Sequence, residues 1–347
     1  MKKTMDRHSF SNQASIENCI FIKTILMLLV ILYHSCVYWT GNWFTKDPIF
    51  ASESLSIFSR WLNSFHIYGF AFVSGYIYAF AKNELGKYSN KKSFLLGKAK
   101  RLLIPFIFVV LVWVIPLQWI FFHNSIAFII RNYLLAENPN QLWFLWMLFD
   151  VFLVVCFTVD YFDKSRIVAA MISIGGYGIY LILFGRVHNY FQIIMAMQYF
   201  SVFIAGYYSR RTELQSNKWY VWLIIDLFLF YMYESIPTTG LFLKMMHYAI
   251  GFILHLVGAV MAWTTLQVIA SKVNWREYRF LKMLSSYSMP MYLFHQQIIY
   301  FTIVWLNGKV VPWVNAGINF MVAVGGSFFI GNFFMRWKIT RILIGEK

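Results

Sequence analysis

Residues 20–38 read IFIKTILMLLVILYHSCVY, an apolar run interrupted by Lys23 and His34. Such a run is about as long as a helix needs to cross a bilayer. The eleven-residue offset between Lys23 and His34 amounts, at 100° per residue, to three turns plus about 20°, so both side chains share one helix face, about 16 Å apart along the axis. Ionisable groups inside a membrane span are costly and mark functional positions by default. A polar start, MKKTMDRHSFSNQASIEN, precedes the run without a small-residue cleavage site, so the first helix is expected to be retained and residues 1–19 to form a tail.

The remainder of the chain has the same character. Of 347 residues, 60% are hydrophobic, 21% aromatic and 13% charged, which excludes an ordinary soluble domain with a polar shell. The composition predicts an all-α, polytopic integral membrane protein. Cys19, Cys36 and Cys156 show no paired spacing, and neither a disulfide framework nor a metal site is expected.

Hydropathy divides the chain into about ten candidate transmembrane helices, near 20–40, 61–81, 102–122, 142–159, 166–184, 190–207, 219–235, 247–270, 285–306 and 312–335, with a short interfacial helix around 125–135. An even count puts both termini on one side. With the N-terminus in the cytoplasm, the cytoplasmic segments hold 23 Lys/Arg and the opposite loops six, Lys23 completing the 30. The positive-inside rule therefore places both termini in the cytoplasm of a multi-pass cell-membrane protein. The net charge of +16 is then a topology signal and does not call for nucleic acid. No linker or repeat divides the chain, so residues 1–347 read as one membrane domain.

Four further clusters carry polar groups. FHIYGFAFVSGYIYAF, residues 65–80, puts His66 about 7 Å below the outer surface, near the depth expected for His34, with Ser74 and Gly75 deeper, where small residues allow close helix contact. KKSFLLGKAKRLLIPF, residues 91–106, sets Lys98 and Arg101 on one helix face. That fork suits a phosphate-bearing ligand, although basic residues at a membrane edge also set topology or touch anionic lipid. NQLWFLWMLFD, residues 140–150, combines Trp143 and Trp146, which read as interfacial anchors, with Asp150 near the midplane. SSYSMPMYLFHQQIIY, residues 285–300, sets Ser288, Tyr292 and His295 at helical spacing and has Pro290 to loosen the helix. A lone buried histidine is more often packing than chemistry, but three at compatible depths point to a shared polar pocket.

These features in this order resemble the integral-membrane acyltransferase-3 family, in particular its fucose 4-O-acetylase-like branch and the membrane acyltransferases of surface-polysaccharide synthesis. The matching residues run nearly end to end: Lys23 with ten residues before His34, FHIYGFAFVSGY, Lys98-Ala-Lys-Arg101 before LLIP, LWFL, and Tyr292-Leu-Phe-His295. The resemblance implies that His34 is the catalytic residue of a basic-x10-His motif and that the basic pair before the third span serves the acyl donor. Lys98 stands where many relatives have Arg, which keeps the charge and weakens bidentate phosphate recognition. The soluble hydrolase domain that some relatives append is not in this sequence, so transfer is expected to finish in the membrane domain or to involve another protein.

The expected activity is transfer of an acyl group, acetyl in the first instance, from cytoplasmic acyl-CoA to a hydroxyl of a cell-surface or lipid-linked glycan. No permanently bound cofactor is expected; acyl-CoA is a co-substrate, and membrane lipids and polysaccharide-synthesis machinery are the expected surroundings. His34 is the candidate base or acyl-accepting nucleophile. Tyr292, His295 and His66, in that order, are candidate oxyanion donors. Lys23, Lys98 and Arg101 are the donor-binding candidates, and Ser74, Trp143 and Asp150 further pocket candidates. A polysaccharide exporter using Asp150, Asp226, His255 and the clustered histidines is the alternative. Release of CoA thiol separates the two readings.

Overall fold

The computed structural model describes residues 2–41, 43–212, 214 and 218–346, with side chains from Ile16 onward. Every regular element among them is helical. The long helices are α1 (Lys2–Cys36), α2 (Glu53–Asn83), α3 (Lys91–Phe122, with a π segment at Val110–Val114), α4 (Trp143–Lys164), α5 (Arg166–Leu183), α6 (Ile193–Thr212), α7 (Trp219–Ser235), α8 (Leu241–Lys272), α9 (Ser288–Leu306) and α10 (Pro312–Phe334). Side-chain caps open several of them: Ser52 Oγ accepts from the Leu55 amide, Asn90 Oδ1 from Ser93 and Ser165 Oγ from Val168, each satisfying one of the free N–H groups of a first turn.

Each apolar segment expected from the sequence falls on one of these helices, and the segment after α3 is helical over Ile126–Ile129 and Ile130–Leu134. Among the described residues, six helical segments are long and apolar enough to cross a membrane: Ile16–Thr40, Lys91–Phe122, Asn140–Lys164, Arg166–Leu183, Leu241–Lys272 and Pro312–Phe334. The other four fall short for physical reasons. Helix α7 has only 17 residues. Helices α2, α6 and α9 carry polar groups such as His66, Gln198, His295 and Gln297, all buried against neighbouring helices, so these helices need not be apolar in themselves.

Lipid-facing chemistry is plain on the outside. Ile107, Leu111, Ile120, Ile174, Ile182, Ile224, Phe228 and Phe329 each expose more than half of their surface. Apolar residues this exposed on so many helices suit hydrocarbon rather than water. The chain is an all-helical, multi-pass membrane protein.

Helix α1 occupies the centre, where it packs against α2, α8, α9 and α10. Ile22, Leu26, Met27, Val30 and Ile31 are buried on it, as expected of a helix surrounded by others. Helix α2 packs closely on α6, and the approach is set by two glycines. A Cβ at Gly75 would overlap the Phe203 carbonyl oxygen, and one at Gly206 would overlap that of Phe72. Only glycine lets these backbones come so near.

Pro290 acts differently from the sequence expectation. The helix breaks at Tyr287, between Arg279–Ser286 and Ser288–Leu306, so Pro290 sits in the first turn of α9. There its missing N–H removes no intrahelical bond, and it starts a helix rather than loosening one. Ser288 and Met289 of that turn line a cavity.

Candidate active site

Three histidines converge where α1, α2 and α9 meet. His34 Nδ1 lies 2.9 Å from the Val30 carbonyl oxygen and 3.2 Å from His295 Nε2. His295 Nδ1 lies 2.8 Å from the Tyr292 carbonyl, and His66 Nδ1 lies 2.6 Å from that of Leu62. A carbonyl oxygen only accepts, so each of these Nδ1 atoms carries the hydrogen and each Nε2 of the neutral ring is an acceptor. His295 Nε2 is therefore free to accept from His34 Nδ1–H, whose hydrogen is shared with Val30. That arrangement leaves His34 Nε2 without a hydrogen bond among the described residues, and the buried His66 Nε2 is also unpaired.

His34 and His66 line a cavity of about 1260 Å³, together with Tyr33, Asn63, Gln141, Trp143, Gln296 and Tyr300. Most of its walls are amides, phenols and indoles, with Val30, Ile67, Phe122 and Phe128 as apolar patches. Gln296 Nε2 donates to Tyr300 Oη at 2.6 Å, and the amides of Gln141 and Gln297 bond to each other at 2.8 and 3.1 Å. His295 is fully buried behind His34 and does not line the cavity.

A second cavity, about 880 Å³, is lined by Lys23, Lys98 and Arg101, with Ser74, Ser288 and apolar side chains including Met27, Phe70 and Leu148. None of the three cations forms an ion pair among the described residues, and no carboxylate lines the cavity. Lys98 Nζ sits 3.8 Å from the Phe152 ring centroid, with Phe94 at 5.5 Å and Tyr88 at 5.7 Å. These rings offer a cation–π surface that orients the ammonium without neutralising it. Glu346, in the C-terminal turn packed beside α3, lies in the field of Arg101; burial raises its carboxyl pKa, and Arg101 opposes the rise.

The two cavities share Ile67 and Tyr292 as walls. The Tyr292 hydroxyl donates to the Gln141 carbonyl. The eleven-residue step from Lys23 to His34 thus runs from one cavity to the other along α1.

Ser74 lines the cationic cavity and Trp143 the histidine cavity, whereas Asp150 lines neither; its Oδ2 is buried without a hydrogen-bond partner among the described residues. Neither acidic group of the exporter alternative, Asp150 or Asp226, lines the histidine cavity. Asp226 accepts from Trp61 Nε1 at 2.9 Å, and His255 lines a third cavity. No group of three or more His, Cys, Asp or Glu among the described residues is arranged to hold a metal ion. Cys19, Cys36 and Cys156 are free and buried.

Sequence reading missed Asn63, Gln141, Gln296 and Tyr300. A signal was present: Asn63 precedes His66 by three residues and Tyr300 follows Gln296 by four, so each pair shares a helix face.

A family model described as an acyltransferase domain, that of the acyltransferase-3 family, matches residues 17–332, which include both cavities. No curated protein and no solved structure matches the chain. An all-helical membrane protein matched over nearly its whole length by that model, the chain belongs to the acyltransferase-3 family of membrane acyltransferases.

Proposed function

We propose that the protein is a ten-span O-acyltransferase of the cell membrane, with both termini cytoplasmic, that moves an acyl group from cytoplasmic acyl-CoA to a hydroxyl of a cell-surface or lipid-linked glycan. Acetyl is the first candidate for the group. The observation that carries this reading is the junction of the cavities: three unneutralised cations on one side, an unbonded imidazole nitrogen on the other, and Tyr292 between them.

In this reading the nucleotide phosphates of acyl-CoA meet Lys23, Lys98 and Arg101. Guanidinium and ammonium groups bind phosphate oxygens through charge-assisted bonds. The uncharged pantetheine arm follows the apolar wall toward Tyr292. The acceptor sugar lies in the histidine cavity, where amides match its hydroxyls and aromatic faces its C–H faces.

The sugar hydroxyl oxygen attacks the thioester carbonyl carbon while His34 Nε2 takes the hydroxyl proton. Collapse of the tetrahedral intermediate breaks the carbon–sulfur bond, and the imidazolium returns the proton to sulfur. The products are an ester and free CoA thiol. As His34 becomes cationic, His295 Nε2 accepts from its Nδ1–H and steadies the ring, which makes His295 a positioning residue. With both Nδ1–H groups bonded to backbone carbonyls, neutral His66 and His295 offer no hydrogen to the oxyanion. Tyr292 is the better donor, once its hydroxyl turns from the Gln141 carbonyl.

Protein reconstituted in lipid nanodiscs and given acetyl-CoA with glycan acceptors is expected to release CoA thiol and yield an ester, and His34→Ala is expected to slow both by about 10³-fold while remaining folded. Normal product from that variant removes His34 from the chemistry. Glycan moved across a membrane without thiol release favours an exporter instead. Mass and NMR spectra of surface glycans from cells carrying wild type and His34→Ala identify the acyl group and acceptor together.

A further inference from the structure

A third cavity, about 800 Å³, lies among α2, α4, α5, α6, α7 and α8 and shares Asn63 and Trp143 with the histidine cavity. Six tyrosines line it: Tyr68, Tyr177, Tyr180, Tyr199, Tyr233 and Tyr248. Tyr68 is stacked between two rings, with Tyr199 at 4.4 Å and His255 at 4.0 Å, both pairs within 10° of parallel. His255 Nδ1 lies 3.0 Å from the Ser64 carbonyl and so carries the hydrogen, which leaves its Nε2 an acceptor. Gln198 Nε2 donates to Tyr68 Oη at 2.8 Å, while its Oε1, on a side chain only 6% exposed, has no partner among the described residues.

No Lys, Arg, Asp or Glu lines this cavity, so it suits a neutral occupant. Phenols, an amide and an imidazole offer alternating donors and acceptors beside flat apolar faces, the surface that a sugar ring with equatorial hydroxyls and exposed C–H groups matches. A hydrocarbon tail would bury those polar groups without partners, at a cost for each. The unpaired Gln198 oxygen asks for a donor such as a sugar hydroxyl.

We infer that this cavity is a second saccharide subsite, which binds the neutral sugar unit adjacent to the one being acylated, with Asn63 and Trp143 at the linkage between the two. The inference rests on the acyltransferase reading above and deepens it: the acceptor is recognised as at least a disaccharide.

The test uses the full chain in nanodiscs, acetyl-CoA, and a panel of neutral methyl hexosides, N-acetylhexosaminides and 6-deoxyhexosides, each supplied as mono- and disaccharide, with thiol release as readout. Wild type is expected to prefer the matching disaccharide by on the order of tenfold or more in kcat/KM, the effect of about 1.4 kcal/mol of added binding. Gln198→Leu removes the unpaired acceptor and Met195→Trp fills the cavity, Met195 being part of its wall. Both variants are expected to lose that preference through a higher disaccharide KM while still turning over the monosaccharide, which also shows that they fold. Equal use of mono- and disaccharide by wild type, or a preference unchanged in both variants, overturns the subsite and leaves the acyltransferase reading standing. Absence of thiol release with every acceptor overturns both.

Discussion

The histidine cavity and the cationic cavity touch at Ile67 and Tyr292, yet they manage their polar groups in opposite ways. Around the histidines, each Nδ1–H is bonded to a backbone carbonyl, and the amides of Gln141 and Gln297 hold each other. What stays open there are acceptors, His34 Nε2 together with His66 Nε2 and Gln296 Oε1. Around Lys23, Lys98 and Arg101 there is no acidic partner among the cavity walls; aromatic rings flank Lys98 in place of a carboxylate. A cavity whose imidazoles keep their Nδ1–H groups bonded and their Nε2 lone pairs open, at His34 and His66, is prepared for a proton transfer. A cavity whose charges are left unmatched is prepared for an anion. The difference separates the chemical step from donor affinity, and each side can be perturbed alone.

The largest expected effect is on the chemical side. His34→Ala should lower kcat by about 10³-fold, within the usual range for losing a general base, with the KM for acyl-CoA little changed. A parallel rise in that KM would mean that the two cavities are not separable.

Next comes the anion side. Lys98→Ala combined with Arg101→Ala should raise the acyl-CoA KM on the order of 100-fold, since each charge-assisted bond contributes about 1.5 kcal/mol. Saturated turnover should stay within about threefold of wild type if the pair acts in uniform binding. Donor dependence identical to wild type would reassign the pair to topology.

His295 sharpens the comparison, because it acts on His34 from behind and outside the cavity. His295→Ala should reduce kcat about tenfold, the scale of one hydrogen bond near 1.4 kcal/mol. His295→Gln, whose Oε1 can accept from His34 Nδ1–H, should recover most of the loss without altering the acyl-CoA KM. Equal impairment of the two variants would point to packing instead.

Lys98→Arg should have the smallest effect, a two- to threefold decrease of roughly 0.5 kcal/mol in the acyl-CoA KM, because guanidinium grips phosphate through two bonds. A severe loss would indicate that the ring cage around Lys98 is fitted to an ammonium.

Much of this division was legible in the order of residues. Lys23 and His34 lie on one helix, and their relation depends only on helical pitch, which is local. The pairs Lys98 with Arg101 and Tyr292 with His295 are legible for the same reason. Less legible was the use to which each group is put. Asp150 looked like a pocket residue from its depth, but α4 turns it away from both cavities. Pro290 looked like a break within a helix, and the chain starts α9 there. His295 belongs to the same cluster as His34 and stands behind it.

By itself the sequence determined an all-helical membrane protein, the family to which it belongs, and the residues that share each helix face, because hydropathy and a repeat of 3.6 residues are properties of short segments. Only the tertiary structure decided which faces meet. That choice depends on contacts between residues far apart in the chain, such as Gly75 and Gly206 bringing α2 and α6 into backbone contact. Rotation of one helix against another selects the cavity each side chain enters, and no local periodicity encodes it. The separation of the cations from the free imidazole nitrogen, with Tyr292 between them, is a property of that packing.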